Sequence, residues 1–325
     1  MEAIRLHEFG PAENLLREQV PDPEPAEGQV RIAVEASGVH FIDTALRAGT
    51  MKGPLLPDAL PAIPGREVAG TVDAVADGVD PSWLGARVVA HLGPAAGGYA
   101  RLAVVAASSL HVVPDAAGFD AAVAMIGTGR TAVAVLDAAV PTADDVVLVT
   151  AAAGGLGTLF VQAARRIGAE VVGVAGGPEK VDHVLKEGAT HAVDYTESDW
   201  PRRVADALGG RTVSLVLDGV GGEQGRAAFD LLGAGGRMVM FGWSSGAFAS
   251  FTSADLVDRG LTAMWALSAR TIGQPGVLRS LEERSLAELA SGRMRPQVQR
   301  FPLERAAEAH AALENRATTG KVVLV

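Results

Sequence analysis

The sequence predicts an α/β protein in which a doubly wound parallel sheet is joined to a β-rich domain. Three observations carry that expectation. Six strand-like runs alternate with helical patterns through the middle of the chain. Short strand-like runs separated by Pro and Gly fill the first third, and the tail returns to mixed structure. With 325 residues the chain has room for two domains. A β-rich head and a mixed tail around the alternating middle predict a discontinuous domain at 1–120 and 268–325, interrupted by a middle domain at 121–267.

In the head, Gln29 to Ala36, Glu67 to Val75 and Arg87 to Ala90 read as strands, and Pro21 to Pro25 as an exposed connector. In the middle, Val146 to Val149 is an apolar, β-branched run that enters a glycine-rich turn. A helix follows whose stripe Leu156, Phe160, Ala163 and Ile167 ends at Gly168. Further strands fit Glu170 to Ala175, Ala192-Val193, Ser214 to Leu217, Arg237 to Phe241 and Thr262 to Leu267. Helices fit Glu179 to Glu187, Trp200 to Leu208, Glu223 to Leu232 and Ser253 to Arg259. Pro178 suits the start of the first of these and Gly188 its end. The tail reads as a helix around Leu278 to Ala290, the segment Gln297 to Phe301, a helix from Leu303 to Glu314 and a closing strand from Lys321 to Val325.

The turn Ala151-Ala152-Ala153-Gly154-Gly155-Leu156-Gly157 has the form Ala-x-x-Gly-x-x-Gly. Such a turn lets the backbone fold tightly and leaves helix N-terminal N–H groups facing a pyrophosphate. It also occurs where a helix simply packs close to a strand, but the strand, helix and second strand around it favour a dinucleotide site. A site for NAD places an acid after the second strand, on the ribose 2′-hydroxyl. Here that strand ends in Ala175-Gly176-Gly177, with Lys180 close behind and Tyr195 after the next strand. A lysine and a tyrosine hold a phosphate by charge and hydrogen bonding, which favours NADPH. Taken singly, Lys180 also reads as a solvated helix residue and Tyr195 as a half-exposed strand end.

The formal net charge of −10 argues against nonspecific attraction to nucleic acid or anionic membranes. No run reaches the ~18 uninterrupted apolar residues of a membrane span. The opening Met1-Glu2-Ala3-Ile4-Arg5 does not read as a secretory signal, so the expected location is the cytoplasm. The chain has no cysteine, hence no disulfide, no thiolate zinc ligand and no cysteine nucleophile.

Five separated motifs follow in order: Gly38-Val39-His40-Phe41-Ile42-Asp43-Thr44, Pro64-Gly65-Arg66-Glu67-Val68-Ala69-Gly70, the turn Ala151 to Gly157, Phe241-Gly242-Trp243-Ser244-Ser245-Gly246, and Arg316-Ala317-Thr318-Thr319-Gly320-Lys321. In these the chain resembles the medium-chain dehydrogenase/reductase superfamily over nearly its whole length, specifically its zinc-independent quinone oxidoreductase branch, the relatives of zeta-crystallin. The resemblance implies a GroES-like catalytic domain and a Rossmann domain, with nicotinamide and substrate in the cleft between them. Zinc members place a cysteine in the first motif and a histidine after the glycine of the second, where this chain has Arg66. A pair formed by His40 and His91 alone makes a poor zinc site.

The resemblance implies roles residue by residue. His40 and Asp43 fall near the nicotinamide. His40, where relatives carry asparagine, either donates a proton or only holds a ligand or a structural hydrogen bond. Asp43 orients His40 or the ribose, or caps a helix starting at Thr44. Thr128, Gly129 and Thr131 approach the nicotinamide side. Ala153, Gly154, Gly155, Leu156 and Gly157 take the pyrophosphate, Gly176, Lys180 and Tyr195 the 2′-phosphate, and Phe241, Gly242, Ser244 and Ser245 the carboxyl edge of the sheet. Arg316 matches an arginine that reaches the cofactor phosphate. Ala45 and Trp243 depart from the tyrosine and asparagine common in relatives, which alters the pocket.

The expected activity is NADPH-dependent, zinc-free reduction of quinones or α,β-unsaturated carbonyls, whose added negative charge delocalises. The alternatives are an enoyl or alkenal double-bond reductase, and a cofactor-binding protein with little turnover. By analogy with relatives, Thr262 to Leu267 is the edge strand of a homodimer.

Overall fold

The computed structural model describes residues 1–51, 56, 57 and 59–325, with residue 271 described by its backbone alone. The chain divides into two compact units, Met1–Gly129 with Glu282–Val325, and Arg130–Leu281. The head runs through β1 (Glu2–Leu6), β2 (Leu15–Gln19), β3 (Gln29–Val39), α1 (Phe41–Ala48), β4 (Glu67–Val75), β5 (Arg87–His91), β6 (Leu102–Ala106), β7 (Leu110–Val112) and α2 (Phe119–Ala124), then a π-helical turn Met125–Gly129. The second unit holds α3 (Arg130–Ala139), β8 (Val146–Val149), α4 (Gly155–Ile167), β9 (Glu170–Ala175), α5 (Pro178–Lys186), β10 (His191–Asp194) and α6 (Trp200–Ala207). It continues through β11 (Val213–Asp218), α7 (Gly222–Asp230), β12 (Leu232–Met240), α8 (Ser253–Arg259), β13 (Thr262–Trp265) and α9 (Ala269–Ile272). The tail consists of α10 (Val277–Ala290), which begins in the second unit, then β14 (Val298–Phe301), α11 (Ala306–Glu314) and β15 (Lys321–Leu324).

The second unit is a six-stranded sheet in the order β10-β9-β8-β11-β12-β13, every neighbouring pair parallel. The order reverses between β8 and β11, and at such a switch point the loops leaving adjacent strands part and open a ligand crevice. The strands form because they are continuous apolar runs. All four residues of β8 are buried, as a parallel strand covered on both faces requires. One side of the sheet packs on a core that includes Leu148, Val172, Val204, Val216, Phe229 and Met238.

In the first unit a sheet runs β14-β15-β3-β4-β5-β7, with β6 pairing β3 and a separate β1-β2 hairpin. Val30, Ile32, Val68, Val72 and Val88 fill one of its cores, and Ile4, Tyr99, Leu303 and Val322 are among the residues of another. The sequence reading did not anticipate β1, β2, β6 or β7. α2 packs on β3, β4 and β15, so the head runs past residue 120 to Gly129. The stretch Phe119–Ala139 is long and apolar enough to cross a membrane, yet 67% of its most apolar window is buried in the protein.

Three boundaries differ from expectation. α7 stops at Asp230 and β12 begins at Leu232, with glycines at 233, 235 and 236 carrying the strand through a bulge. β13 ends at Trp265 rather than Leu267. α1 begins at Phe41, with His40 as its N-cap, so Asp43 lies in the first turn instead of capping a helix that starts at Thr44.

Phe229 is fully buried and stacks on Phe251 at 4.8 Å between ring centroids, with the guanidiniums of Arg226 and Arg259 over its ring. Truncation there removes a large transfer term and leaves a cavity. Phe229→Ala is expected to lower the unfolding free energy by about 3–5 kcal/mol in urea titrations followed by far-UV circular dichroism.

Candidate functional site

In the second unit, the turn after β8 is shaped by close packing. Ala151 takes a left-handed backbone (φ 48°), an uncommon conformation for a residue with a Cβ. Gly154 is the N-cap of α4 and supplies no side-chain cap. The N–H groups of Gly155, Leu156 and Gly157 open the helix, where no intrahelical acceptor exists for them. A Cβ on Gly157 would lie 2.3 Å from the Ala151 carbonyl oxygen and 2.6 Å from Ala152 Cα, so only glycine lets α4 approach the strand this closely. Ala153 is buried beneath the turn. Unpaired N–H groups at a helix start fit a pyrophosphate.

The neighbouring loops are tied to this turn. Thr150, at the end of β8, donates from its hydroxyl to Asp218 Oδ1 at 2.8 Å and accepts from the Gly219 N–H at 3.1 Å. Asp218 is buried and also accepts from the N–H groups of Val220 and Gly221; burial pushes its carboxyl up. The loop after β12 follows on. Ser244 donates its N–H to the Gly219 carbonyl and Ser245 to that of Val220, and the Phe241 ring packs on Phe160 at 5.1 Å. A Cβ on Gly242 would lie 2.8 Å from the Gly219 oxygen. The turn residues, Phe241, Gly242, Ser244 and Ser245 therefore line one edge, at the carboxyl ends of β8, β11 and β12. Trp243 leaves this edge for an exposed cluster with Phe248 and Trp265. Thr131 lies in the first turn of α3.

At the end of β9 the Tyr195 hydroxyl covers Gly176; a Cβ on that glycine would sit 2.8 Å from it. Lys180 lies in the first turn of α5, half-buried. A carboxylate also reaches this turn. Asp194 Oδ1 accepts from the Gly177 N–H and from both the N–H and the hydroxyl of Thr196. These donors, the Gly177 amide foremost, hold the Asp194 carboxyl below its usual range.

In the first unit, the His40 ring lies against a buried carboxylate. His40 Nε2 is 2.5 Å from Glu67 Oε1, and Lys321 Nζ donates to Glu67 Oε2 at 2.9 Å. Glu67 has no exposed surface, and Lys321 is 4% exposed. Burial raises the carboxyl, but the His40 and Lys321 charges outweigh it and hold Glu67 well below its usual range. The space comes from two glycines: a Cβ on Gly127 would lie 1.6 Å from Oε1, and one on Gly38 2.0 Å from Oε2. The facing elements are β3, β4, β15 and the π-helical turn, in which Thr128 is also buried. Across β5, His91 is the register partner of Glu67 and adds to its field.

Asp43 serves the backbone of His40 rather than its ring. Asp43 Oδ2 accepts the His40 N–H at 2.8 Å, and Oδ1 faces Arg66 at 3.3 Å. The Tyr99 hydroxyl donates to Asp43 Oδ2 at 3.4 Å and meets His310 Nε2 at 3.1 Å. Nearby, buried Arg47 pairs with the exposed Glu314. Asp43, Arg47 and Arg66, with Leu46, Ile63 and Pro64, border a cavity of about 740 Å³. Arg316 is exposed in the first unit, in a left-handed conformation after α11. Among the described residues no three His, Asp or Glu side chains gather in a way that would hold a metal ion. The sequence reading missed Glu67, Lys321, Tyr99 and His310 as members of this site. An acid and a base, each heading a largely apolar strand, were the available signal for the first two.

Residues 26–115 match the family model of the alcohol dehydrogenase GroES-like domain, and residues 155–278 that of the zinc-binding dehydrogenases. The chain is 33% identical to a quinone oxidoreductase of Salmonella typhimurium over 332 residues, covering 99% of this chain and 98% of the relative. The crystal structure of Escherichia coli quinone oxidoreductase complexed with NADPH superposes with a TM-score of 0.86 at 31% identity, over the full length of both chains. A crystal structure described as an NAD-dependent alcohol dehydrogenase superposes at 0.88 with 30% identity, over 100% of this chain and 99% of that one.

Burial pushes the His310 imidazole down from 6.5 to about 4. An unfolded chain then takes up this proton first as the pH falls. Stability is therefore full above about 6.5 and is lost on acidification toward 4, by roughly 3 kcal/mol from this group. His310→Gln is expected to flatten that part of the stability–pH curve, measured by urea unfolding at fixed pH values.

Proposed function

The chain belongs to the medium-chain dehydrogenase/reductase superfamily, in its quinone oxidoreductase branch, and from that membership we propose that it is an NADPH-dependent reductase of quinones or α,β-unsaturated carbonyls. The observation that carries the proposal is the uncapped start of α4, whose free N–H groups fit a pyrophosphate. NADPH, when bound, supplies the hydride.

The residues proposed to hold the pyrophosphate are Ala153 to Gly157, with Phe241, Gly242, Ser244 and Ser245 beside them. Lys180, Tyr195 and the Gly176 backbone are proposed for the 2′-phosphate. Two features favour the phosphorylated cofactor: β9 ends without an acid, and Asp194 Oδ1 is already engaged by the Gly177 N–H and by Thr196. Thr128, Thr131 and Arg316 are proposed as further cofactor contacts. On the substrate side His40 is proposed to supply the proton and Asp43 to fix its backbone. Arg66 offers only N–H donors where zinc members place a ligand, so the reading assigns activation of the acceptor to hydrogen bonding and to delocalisation in the substrate.

The decisive assay follows oxidation of NADPH and NADH at 340 nm against a quinone and an enone. Turnover with NADPH and either acceptor is expected. No oxidation across the panel, despite thermal stabilisation by NADPH, would instead identify a binding protein. Lys180→Ala is expected to weaken NADPH binding about tenfold to a hundredfold in fluorescence titration and to leave NADH binding unchanged. Tighter binding of NADH than NADPH by the unmodified protein would defeat the phosphate assignment.

We further propose a homodimer in which β13, an edge strand of the six-stranded sheet, pairs with its copy. Met264 on that strand and the ring cluster of Trp243 and Phe248 are exposed apolar surface beside it. Light scattering after size exclusion is expected to give twice the chain mass of 33.3 kDa, and Met264→Lys to shift it toward the monomer.

A further inference from the structure

We infer that Glu67, with Lys321 as its counter-charge, is a positioning residue that fixes the proton arrangement of His40, so that Nδ1 is the nitrogen that serves the substrate. The inference rests on the reading of His40 as proton donor. Its grounds are geometric. A 2.5 Å contact between a carboxylate oxygen and a ring nitrogen is repulsive unless that nitrogen carries a hydrogen. Glu67 is fully buried and bonded through its other oxygen to Lys321, and it stays ionised. Nε2 therefore holds a hydrogen in both charge states of the ring. Nδ1 alone gains or loses one.

The carboxylate has no freedom to turn away. Gly38 and Gly127 close around its two oxygens, and any side chain at either position would overlap them. Lys321 is held by β15 and Glu67 by β4, so the charge pair is built into the sheet. The Asp43 carboxylate fixes the other end of the residue through the His40 N–H. Backbone and ring are thus held by different acids, which leaves Nδ1 as the single ring atom whose proton is exchangeable during a cycle.

The step balances as follows. Hydride adds to the electrophilic carbon of the acceptor, and the π electron pair moves onto oxygen. Bound NADPH would supply that hydride and become NADP+, so the two electrons the acceptor gains are accounted for. The resulting enolate or hydroquinone anion takes the Nδ1 proton. His40 is left neutral, with its hydrogen on Nε2 beside Glu67 Oε1, and a proton from water restores it. A carboxylate behind a histidine performs this orienting task without itself being protonated.

Two measurements test the inference. Ring-nitrogen NMR of the selectively labelled protein, without cofactor, reads the His40 tautomer directly. Nε2–H is expected in the unmodified protein, and loss of that single form in Glu67→Gln. Steady-state kinetics of Glu67→Gln with NADPH is expected to show kcat lowered about a hundredfold, with NADPH affinity and KM for the acceptor little changed. Because the single variant leaves Lys321 buried and unpaired, Glu67→Gln/Lys321→Met is examined beside it, and the same tautomer loss is expected. Glu67→Asp is expected to recover part of kcat. A Nδ1–H ring in the unmodified protein, or an unchanged tautomer in both variants, overturns the inference. Failure of the protein to oxidise NADPH would overturn the functional reading instead and leave the NMR result to decide the role of Glu67.

Discussion

The first unit is organised around one requirement: an ionised carboxylate at the centre of a β core must be matched in charge and given space. Glu67 is fully buried among Val68, Ala69 and their neighbours, where an unpaired charge would cost several kcal/mol. Lys321 supplies the opposite charge from the last strand of the chain, 254 residues away. Gly38 and Gly127 supply the room. Strand β3, strand β4, strand β15 and the π-helical turn must therefore all be in place before this carboxylate is satisfied. The His40 ring inherits its position from the same arrangement, since it is the remaining neighbour of Oε1.

The second unit meets a different requirement with backbone alone. Its ligand edge contains few charged side chains. Instead it has a helix start without a cap, a left-handed Ala151, and loops cross-linked by Thr150 and by the Ser244 and Ser245 amides. Asp218 is the buried polar hub of that edge, and every one of its acceptor contacts goes to a loop donor. Backbone donors fixed in this way are held in place before any ligand binds, and small residues make up most of the turn.

These two requirements differ in how they appear in sequence. The parallel sheet was legible because each strand is a continuous apolar run punctuated by glycine, as at Val146 to Val149 before Gly154. The glycine turn lies within one short stretch and could be read locally, whereas the packing of Tyr195 over Gly176 joins two separate strand ends. The hairpin Glu2–Leu6 with Leu15–Gln19 was missed because its strands mix charged and apolar residues without clear alternation. The start of α1 was displaced because His40 is an unusual N-cap and the Asp43 side chain completes the cap from inside the helix. Glu67 and Lys321 were quoted as parts of motifs, but their partnership depends on antiparallel pairing of β15 with β3 and of β3 with β4, which no local pattern encodes.

The sequence Arg66-Glu67 places opposite charges on adjacent residues, Arg66 just before β4 and Glu67 at its head, and each is answered by a separate partner. Arg66 faces Asp43, and Glu67 faces Lys321. Both pairs are close to neutral in sum, so neither leaves a net field for the other to screen. His40 touches both, through its backbone to Asp43 and through its ring to Glu67. When the imidazole is charged, it is the excess positive charge of the group. When it is neutral, the group is balanced. His40 thus sits between two ion pairs whose charges are already matched, reaching one through its backbone and the other through its ring.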